Sequence, residues 1–268
     1  MVGITSRLSQ DLLKLMLLLG KLVPTNVRAS GLRLIHKNRF LARILGFRYF
    51  GTGELDRKLK DFLNPTLSRN GFFVELGAND GITQSNTKML ELFYGWRGIL
   101  VEPEPNNFEK LLRNRSKKNY FYDVAAVSFD YLKPTMDLKF SNLMTTPLAG
   151  HSTLKNREAH AEDGKRFLGP NESTYIFTAN VKTLNAIFVE SAAPKRMDLL
   201  SLDVEGGEFE VLKGINHGEY QFDWLLIESQ QLGELLTYLE PLGYFLKETL
   251  STHDYLFQNV NEVVVGNK

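Results

Sequence analysis

Acidic residues stand within or at the ends of several short apolar segments of the chain. Glu75 lies inside segment 72–76, and Glu102, Asp203 and Glu228 each end another such segment. Such segments are typical of buried strands, and in an open α/β sheet ligands bind beyond the carboxyl ends of the strands. Carboxylates at that edge accept hydrogen bonds from hydroxyl and amino groups. They favour a ligand with free hydroxyls and a positive centre, and they would repel a pyrophosphate.

A glycine turn follows the first of these segments, with Gly77, Asn79, Asp80 and Gly81 ahead of a helix-like stretch. Glycine allows a tight turn and a close approach of the backbone to a ligand. The dinucleotide fingerprint G-x-G-x-x-G is absent, and so is the lysine of a P-loop. An ordinary strand-to-helix turn is the alternative interpretation. We expect Glu75 and these four turn residues to bind a cofactor.

Two further acidic residues are suited to a nucleoside. Glu102 follows Gly77 by about 25 residues, where a carboxylate can accept both hydroxyls of a ribose. Asp123 lies in the third apolar segment and could reach an adenine amino group, although an exposed strand end is the alternative. S-adenosylmethionine carries a sulfonium, an amino group and a ribose diol, and therefore suits these carboxylates.

The densest acidic cluster contains Asp203, Glu205 and Glu208 around a Gly-Gly pair. Crowded carboxylates repel one another unless a cation or substrate hydroxyls lie between them. If the strands that end at Asp203 and Glu228 pair, these two carboxylates become neighbours and form candidate ligands for Mg²⁺ or Ca²⁺. For Glu208, the alternative is a structural role as a negative charge at the start of the following helix.

Apolar segments alternate with helix-like stretches from about residue 70 onward, which predicts an α/β sheet. The expected strands are 72–76, 98–102, 120–127, 198–203 and 223–228. The helix-like stretches are 84–94, 108–115, 209–213 and 232–241. Segments 243–247 and 255–257 predict a closing strand pair, with 262–265 as an extension.

These stretches together resemble the FkbM family of S-adenosylmethionine-dependent methyltransferases. The resemblance rests on residues 74–81, 85–87, 100–103, 124–127, 183–184 and 198–214, and it covers about residues 70–258. It implies a class I methyltransferase fold, which is a Rossmann-like, mixed seven-stranded sheet with helices on both faces. It also implies methyl transfer, typically to a hydroxyl of a sugar, glycan or other natural product.

The resemblance further implies roles for individual residues. Ser85 and Asn86 would open the next helix and hold the methionine carboxylate through free N–H groups. Glu102 would take the ribose diol. The methionine and ribose side would be lined by Glu75, Gly77, Asn79 and Gly81. The acceptor would be faced by Asp203, Glu205 and Glu208.

Residues 130–180 interrupt the alternation and contain His151 and His160. A long insertion in a compact domain is commonly a functional lid or a flexible loop, and we expect this one to cover the cleft as a substrate lid. A hydroxyl is a poor nucleophile at neutral pH and benefits from a general base, for which histidine is suited. We prefer His160, which lies among Arg157, Glu158 and Glu162. A solvated loop histidine is the alternative.

The first fifty residues carry an excess of positive charge. They contain nine Lys and Arg and one acid, Asp11, a net charge of +8, so the remainder carries −7 of the total of +1. The leucine-rich stretch 12–19 is too short for a transmembrane helix and lacks a signal-peptide cleavage site. It predicts either a helix packed on the main domain or on a second copy, or a membrane-surface helix supported by the basic stretch 21–48.

The sequence therefore predicts a basic helical arm over residues 1–60 and a methyltransferase domain over 61–268. The expected cofactor is S-adenosylmethionine, with Mg²⁺ as a further candidate, and the expected acceptor is a small molecule or glycan. We expect a cytoplasmic location, with the inner membrane face and homo-oligomers as options for the arm, and no nucleic-acid partner. The chain has no cysteine, which excludes disulfides and thiolate chemistry. The alternatives are a non-catalytic glycan- or membrane-binding protein on the same fold, and a nicotinamide-dependent oxidoreductase.

Overall fold

A computed structural model describes residues 37–45, 47–63, 70–148, 157–168 and 172–260 of the chain. The leucine-rich stretch 12–19, His151 and the expected strand extension 262–265 lie outside these ranges. The helices are α1 (Arg39–Ile44), α2 (Leu55–Leu63), α3 (Pro105–Asn114), α4 (Arg157–Gly164), α5 (Leu184–Glu190), α6 (Glu208–Leu212) and α7 (Leu232–Leu239). The shorter helical turns are Thr52–Glu54, Leu90–Tyr94, Asn142–Met144, Lys165–Phe167 and Glu240–Leu242.

The strands form two sheets. They are β1 (Phe72–Leu76), β2 (Arg97–Val101), β3 (Tyr120–Tyr122), β4 (Val124–Ala126), β5 (Thr135–Phe140), β6 (Thr146–Pro147), β7 (Tyr175–Lys182), β8 (Arg196–Leu202), β9 (Gln221–Glu228), β10 (Tyr244–Thr249) and β11 (Asp254–Asn259). The main sheet has seven strands in the order β10-β11-β9-β8-β1-β2-β3. Strands β3, β2, β1, β8 and β9 run parallel, whereas β11 pairs antiparallel with both β9 and β10. The predicted mixed seven-stranded sheet is confirmed.

Helices cover both faces of this sheet, as predicted. Alternate side chains of β1 point to opposite faces, so Val74 and Leu76 join one apolar cluster while Phe73 joins another. Residues of α5, α6 and α7 pack in the first cluster. Residues of α2 and α3 pack in the second. All five residues of β1 are buried, which explains why its sequence is an almost unbroken apolar run.

The lid region contains secondary structure that the sequence analysis did not predict. Strands β4, β7, β5 and β6 form a second, four-stranded sheet in that order. Its pairs Met136↔Ala179 and Leu138↔Phe177 lie on one face and belong to a third apolar cluster. The expected single strand 120–127 was wrong, because it breaks at the exposed Asp123: β3 completes the main sheet, whereas β4 pairs with β7.

The helix expected over 84–94 also begins later than predicted. Residues 85–87 form a bend, regular helix starts at Lys88, and a π-helical turn covers Leu90–Tyr94. Gly95 then ends it in the left-handed conformation with φ of 74°. The π turn places the buried Leu90 in the second cluster and leads directly into β2.

Part of the N-terminal region packs on the main sheet. Leu55, Leu59 and Leu63 recur every four residues on one face of α2 and lie in the same cluster as Phe73 and Trp96. The division of the chain at residue 60 stays a prediction. Within the described ranges, no helix is long and apolar enough to cross a membrane.

We predict that Gly98→Ala lowers the free energy of unfolding by about 3 kcal/mol. Gly98 faces Phe73 across β1 and β2, and an added Cβ would lie 1.9 Å from the Phe73 carbonyl oxygen, which sheet pairing holds in place. The control is Gly233→Ala in α7, where a Cβ meets nothing within 4 Å. This control should be neutral or stabilise the fold by up to about 1 kcal/mol. Urea unfolding followed by circular dichroism measures both, and equal effects would contradict the packing argument.

Candidate active site

The register of the main sheet aligns four residues at its carboxyl edge. Leu76 pairs with Val101 and with Leu202, and Leu202 pairs with Ile227. The residues that follow these four form one row: Gly77, Glu102, Asp203 and Glu228. Asp203 and Glu228 are therefore neighbours, because the strands that carry them pair as expected. The row lies at the point where the chain order switches direction on either side of β1, which is where open α/β sheets bind ligands.

A cleft opens above this row, at the edge of the sheet where α/β folds bind small molecules. Five of the predicted site residues line it, namely Gly77, Asn79, Glu102, Asp203 and Glu205. Met136 and Leu138 of the second sheet also line it, so residues of the 130–180 region contribute apolar side chains to the cleft wall. Other lining residues were not predicted: Thr83, Gln84, Asn107, Asn142 and Glu210.

The Glu102 carboxylate is held by two backbone donors. Its Oε2 accepts from the Asn79 N–H at 2.8 Å and its Oε1 from the Glu104 N–H at 2.9 Å. Burial, opposed by these hydrogen bonds, raises the pKa of Glu102 to about 7. Each oxygen retains a lone pair, so a fixed carboxylate at the cleft wall is available to accept hydroxyl groups.

Gly77 is required by a close approach between two parts of the protein. Its φ is +72°, and an added Cβ would lie 1.9 Å from the carbonyl oxygen of Asp203. Gly81 also has a positive φ, of +79°, and a Cβ there would press on Leu111 and Arg115. The predicted close approach of the backbone at Gly77 is therefore present. The group that Gly77 approaches is the loop after β8, whereas the sequence analysis expected a ligand.

Glu75 is not on the cleft wall, contrary to its expected place beside the cofactor. It is buried, and its Oε1 accepts from the Ser85 Oγ at 2.9 Å and from the Asn86 N–H at 3.0 Å. Its Oε2 accepts from the Thr87 Oγ1 at 2.8 Å and from the Arg115 guanidinium at 3.0 Å. Glu75 thus anchors the bend 85–87 against β1, which is a structural role.

The other expected cofactor contacts also need correction. The N–H groups of Ser85 and Asn86 are not free, because they donate to the Ile82 carbonyl and to Glu75. Asp80 closes the glycine turn by accepting from the N–H groups of residues 82 and 83. Asp123 is exposed beside the break between β3 and β4 and does not line the cleft.

Carboxylates are crowded at the β8–β9 end of the row. Burial, together with the neighbouring Glu228 and Glu205, raises the pKa of Asp203 well above its usual range. Burial and the same repulsion raise the pKa of Glu228 to about 7. Asp254, which sequence reasoning missed, pairs with Glu228 across β9 and β11 and adds to this repulsion. Burial and mutual repulsion thus raise the proton affinity of both Asp203 and Glu228.

The geometry bears on two predictions for this cluster, namely the role of Glu208 and the presence of a metal site. Glu208 is buried at the start of α6, and its Oε1 accepts from the Gly206 N–H at 2.8 Å, which matches the structural alternative. Burial raises the pKa of Glu208 to about 7. In the described part of the chain, no group of three or more His, Cys, Asp or Glu residues is arranged to hold a metal ion.

His160 meets the acidic cluster from the lid. It lies on α4, and its Nε2 is 2.7 Å from the Glu205 Oε2, with both side chains largely buried. This hydrogen bond outweighs burial and raises the pKa of His160. Glu205 itself adopts a φ of +53°, an uncommon conformation for a residue other than glycine. The structure therefore brings two of the predicted catalytic residues together, and one of them, Glu205, lines the cleft.

The second sheet is also tied to the start of α3, next to Glu102. The Tyr175 hydroxyl of β7 donates to Glu104, the N-cap of α3, and Asn106 donates to the Tyr175 oxygen at 3.1 Å. Glu104 is the residue whose N–H fixes Glu102. One short chain of hydrogen bonds thus runs from the lid to the expected ribose site.

The sequence model described as the methyltransferase FkbM domain matches residues 75–246, well over half of the chain. The chain belongs to the FkbM methyltransferase family. The resemblance is therefore confirmed, the protein is a methyltransferase with the class I fold, and the oxidoreductase alternative is dropped. No curated protein sequence matches the chain.

Solved structures with a similar fold are also methyltransferases. The N-terminal domain of human METTL16 is 12% identical with a TM-score of 0.38, and the match covers 76% of this chain and 67% of that one. A precorrin-6y C5,15-methyltransferase from Geobacter metallireducens is 11% identical with a TM-score of 0.33, covering 75% and 86%. A methyltransferase from Pyrococcus furiosus is 13% identical with a TM-score of 0.32, covering 88% and 99%.

We predict that Arg115→Met lowers the free energy of unfolding by about 3–5 kcal/mol, because it leaves the buried carboxylate of Glu75 without a cation and leaves Glu91 with Lys88 alone. The control is Arg113→Met, two residues away, which breaks only an exposed pair with Glu109. That change should cost less than about 1 kcal/mol. Chemical denaturation measures both variants, and an Arg115→Met protein as stable as the control would refute the anchoring role of this network.

Proposed function

We propose that this FkbM methyltransferase uses S-adenosylmethionine to methylate a hydroxyl group of a small-molecule or glycan acceptor. The residues at the cleft suit this cofactor: Glu102 offers a fixed carboxylate for a ribose diol, and the carboxylates of the row suit a cationic centre. The bound cofactor supplies an electrophilic methyl carbon. The protein therefore has to hold the acceptor oxygen in line with that carbon and to accept its proton.

The observation that carries a hydroxyl acceptor is the contact between His160 and Glu205. The His160 Nε2 lies 2.7 Å from the Glu205 Oε2, and in this proposal neutral His160 carries its proton on Nε2, which leaves the lone pair on Nδ1. We assign His160 as the proton acceptor and Glu205 as the residue that fixes its tautomer. As the acceptor oxygen gains the methyl group and the carbon–sulfur bond breaks, the hydroxyl proton passes to His160. S-adenosylhomocysteine is the second product.

The remaining acids complete the acceptor side in this proposal. Asp203 and Glu205 line the cleft, where their carboxyl oxygens can bind acceptor hydroxyls. A Mg²⁺ ion between Asp203 and Glu228 would need further ligands from water and substrate, because two carboxylates do not complete its shell. Proton sharing relieves the repulsion within this pair without a metal.

We predict that S-adenosylhomocysteine binds the purified chain in isothermal titration calorimetry. Glu102→Gln should weaken this binding about 10–100-fold, because it removes a charge-assisted acceptor for the ribose hydroxyls. Glu109→Gln, on the exposed side of α3, should bind as the unaltered protein does. Thermal melting of each variant confirms folding. Absence of binding up to millimolar ligand would refute the proposed cofactor.

We predict that the imidazole of His160 titrates above its usual pKa of about 6.5, and that Glu205→Gln lowers its pKa. The physical reason is that the carboxylate stabilises the protonated ring, so the proton leaves at a lower pH once that charge is gone. NMR titration of the imidazole signals, assigned with a His160→Ala variant, measures both values. The signals of His217 and His253 serve as internal controls. An unchanged His160 pKa in Glu205→Gln would contradict the pairing.

A further inference from the structure

One long segment near the start of the chain has basic residues but no acidic ones. Between Asp11 and Glu54 there are eight Lys and Arg and no Asp or Glu. Charged residues make up 24% of the whole chain and are split almost evenly between the two signs, so several acids would be expected over this length. The segment is also rich in leucine, notably at 12–19.

The described part of this segment exposes apolar and basic side chains together. In α1, Phe40 is 68% exposed and Ile44 is 48% exposed, and their spacing of four residues places them on the same side of the helix. Arg39 and Arg43 are exposed on the same short helix. Ala42 is buried, and the Arg43 guanidinium lies 5.4 Å from the centre of the Phe93 ring. The helix is thus seated on the domain while Phe40 and Ile44 face solvent.

The positive charge of this region is not balanced within the described residues. No ion pair there joins Lys37, Arg39, Arg43 or Arg48 to a carboxylate. Several cations elsewhere in the described chain do pair with a carboxylate on their own surface: Arg57 with Glu54, Arg113 with Glu109, Lys165 with Glu162, Lys182 with Glu190, Lys195 with Glu219 and Lys213 with Glu210. Around α1 the basic side chains instead lie beside the exposed Phe40 and Ile44, which makes this surface both basic and apolar.

We propose that α1 and the exposed Arg48 that follows it bind the surface of an anionic phospholipid bilayer. Exposed apolar residues beside Lys and Arg are the composition of a helix that lies in the membrane interface. The basic residues would meet lipid headgroups, and Phe40 and Ile44 would enter the boundary of the acyl chains. A nucleic acid would account for the positive charge only, because it offers the exposed Phe40 and Ile44 no apolar layer to enter.

Co-sedimentation of the full chain with vesicles tests this proposal. We expect binding to vesicles of phosphatidylcholine with about 30% phosphatidylglycerol, and little binding to phosphatidylcholine alone. Binding should fall steeply between about 0.1 M and 0.5 M salt. Arg39→Gln combined with Arg48→Gln should weaken binding about 30-fold, as each basic residue near such a surface contributes about fivefold. Lys117→Gln with Lys118→Gln, exposed after α3, is the matched control and should have little effect.

The apolar part of the proposal has its own pair of variants. Phe40→Ser with Ile44→Ser should weaken vesicle binding about tenfold or more. Phe129→Ser with Leu132→Ser removes apolar side chains that are 52% and 92% exposed elsewhere, and should leave binding unchanged. Equal effects of the two pairs, or binding to neutral vesicles at the same level, would overturn the proposal. So would tighter binding of an RNA oligonucleotide than of anionic vesicles, or a dimer in light scattering that Phe40→Ser with Ile44→Ser converts to a monomer.

Discussion

The burial of carboxylates at the carboxyl edge of the main sheet is the constraint on which the site depends. A buried carboxylate has lost its water and must gain a cation, hydrogen-bond donors or a proton. Around β1 a cation compensates the buried carboxylates, because Arg115 pairs with both Glu75 and Glu91. Around β8 and β9 the affinity for a proton is increased instead, because Asp203 and Glu228 lie close together and their pKa values are raised. The same edge therefore holds a rigid half, fixed by an ion network, and a half whose charge responds to what enters the cleft.

This division explains why residues of similar type have different roles. Glu75 is compensated completely by Ser85, Asn86, Thr87 and Arg115, so it holds the backbone in place and has little capacity left for a ligand. Glu102 is compensated by two backbone N–H groups only and lines the cleft. Position in the apolar segment accounts for the difference. Glu75 is one residue inside its strand, whereas Glu102 is the first residue beyond its strand.

This one-residue difference in position between Glu75 and Glu102 also shows which parts of the site could be predicted from the sequence. The strands of the main sheet were predictable because each is a buried apolar run, and their pairing then fixed the row at the carboxyl edge. Whether an acid in such a run faces the cleft or the opposite layer depends on the exact strand end, which composition does not define. The second sheet was missed because β5 and β7 cover only one face with apolar residues and alternate with polar ones such as Asp137 and Thr178. Its partner strand β4 was hidden in a longer apolar segment that breaks at Asp123, where no glycine or proline marks the break.

The second sheet gives the lid a physical role in the chemistry. Met136 and Leu138 turn the apolar face of this sheet toward the cleft, and α4, which follows β6 in the chain, carries His160 to Glu205. The lid thereby lowers the dielectric around the same carboxylates whose proton affinity depends on burial. Tyr175 links it to Glu104, next to the carboxylate assigned to the cofactor. A shift of the lid would therefore alter three quantities together: the proton affinity of the acidic row, the position of the proposed base and the orientation of Glu102. In the proposed function, acceptor specificity and proton transfer would therefore both depend on this inserted unit, whereas the main sheet would provide the cofactor site.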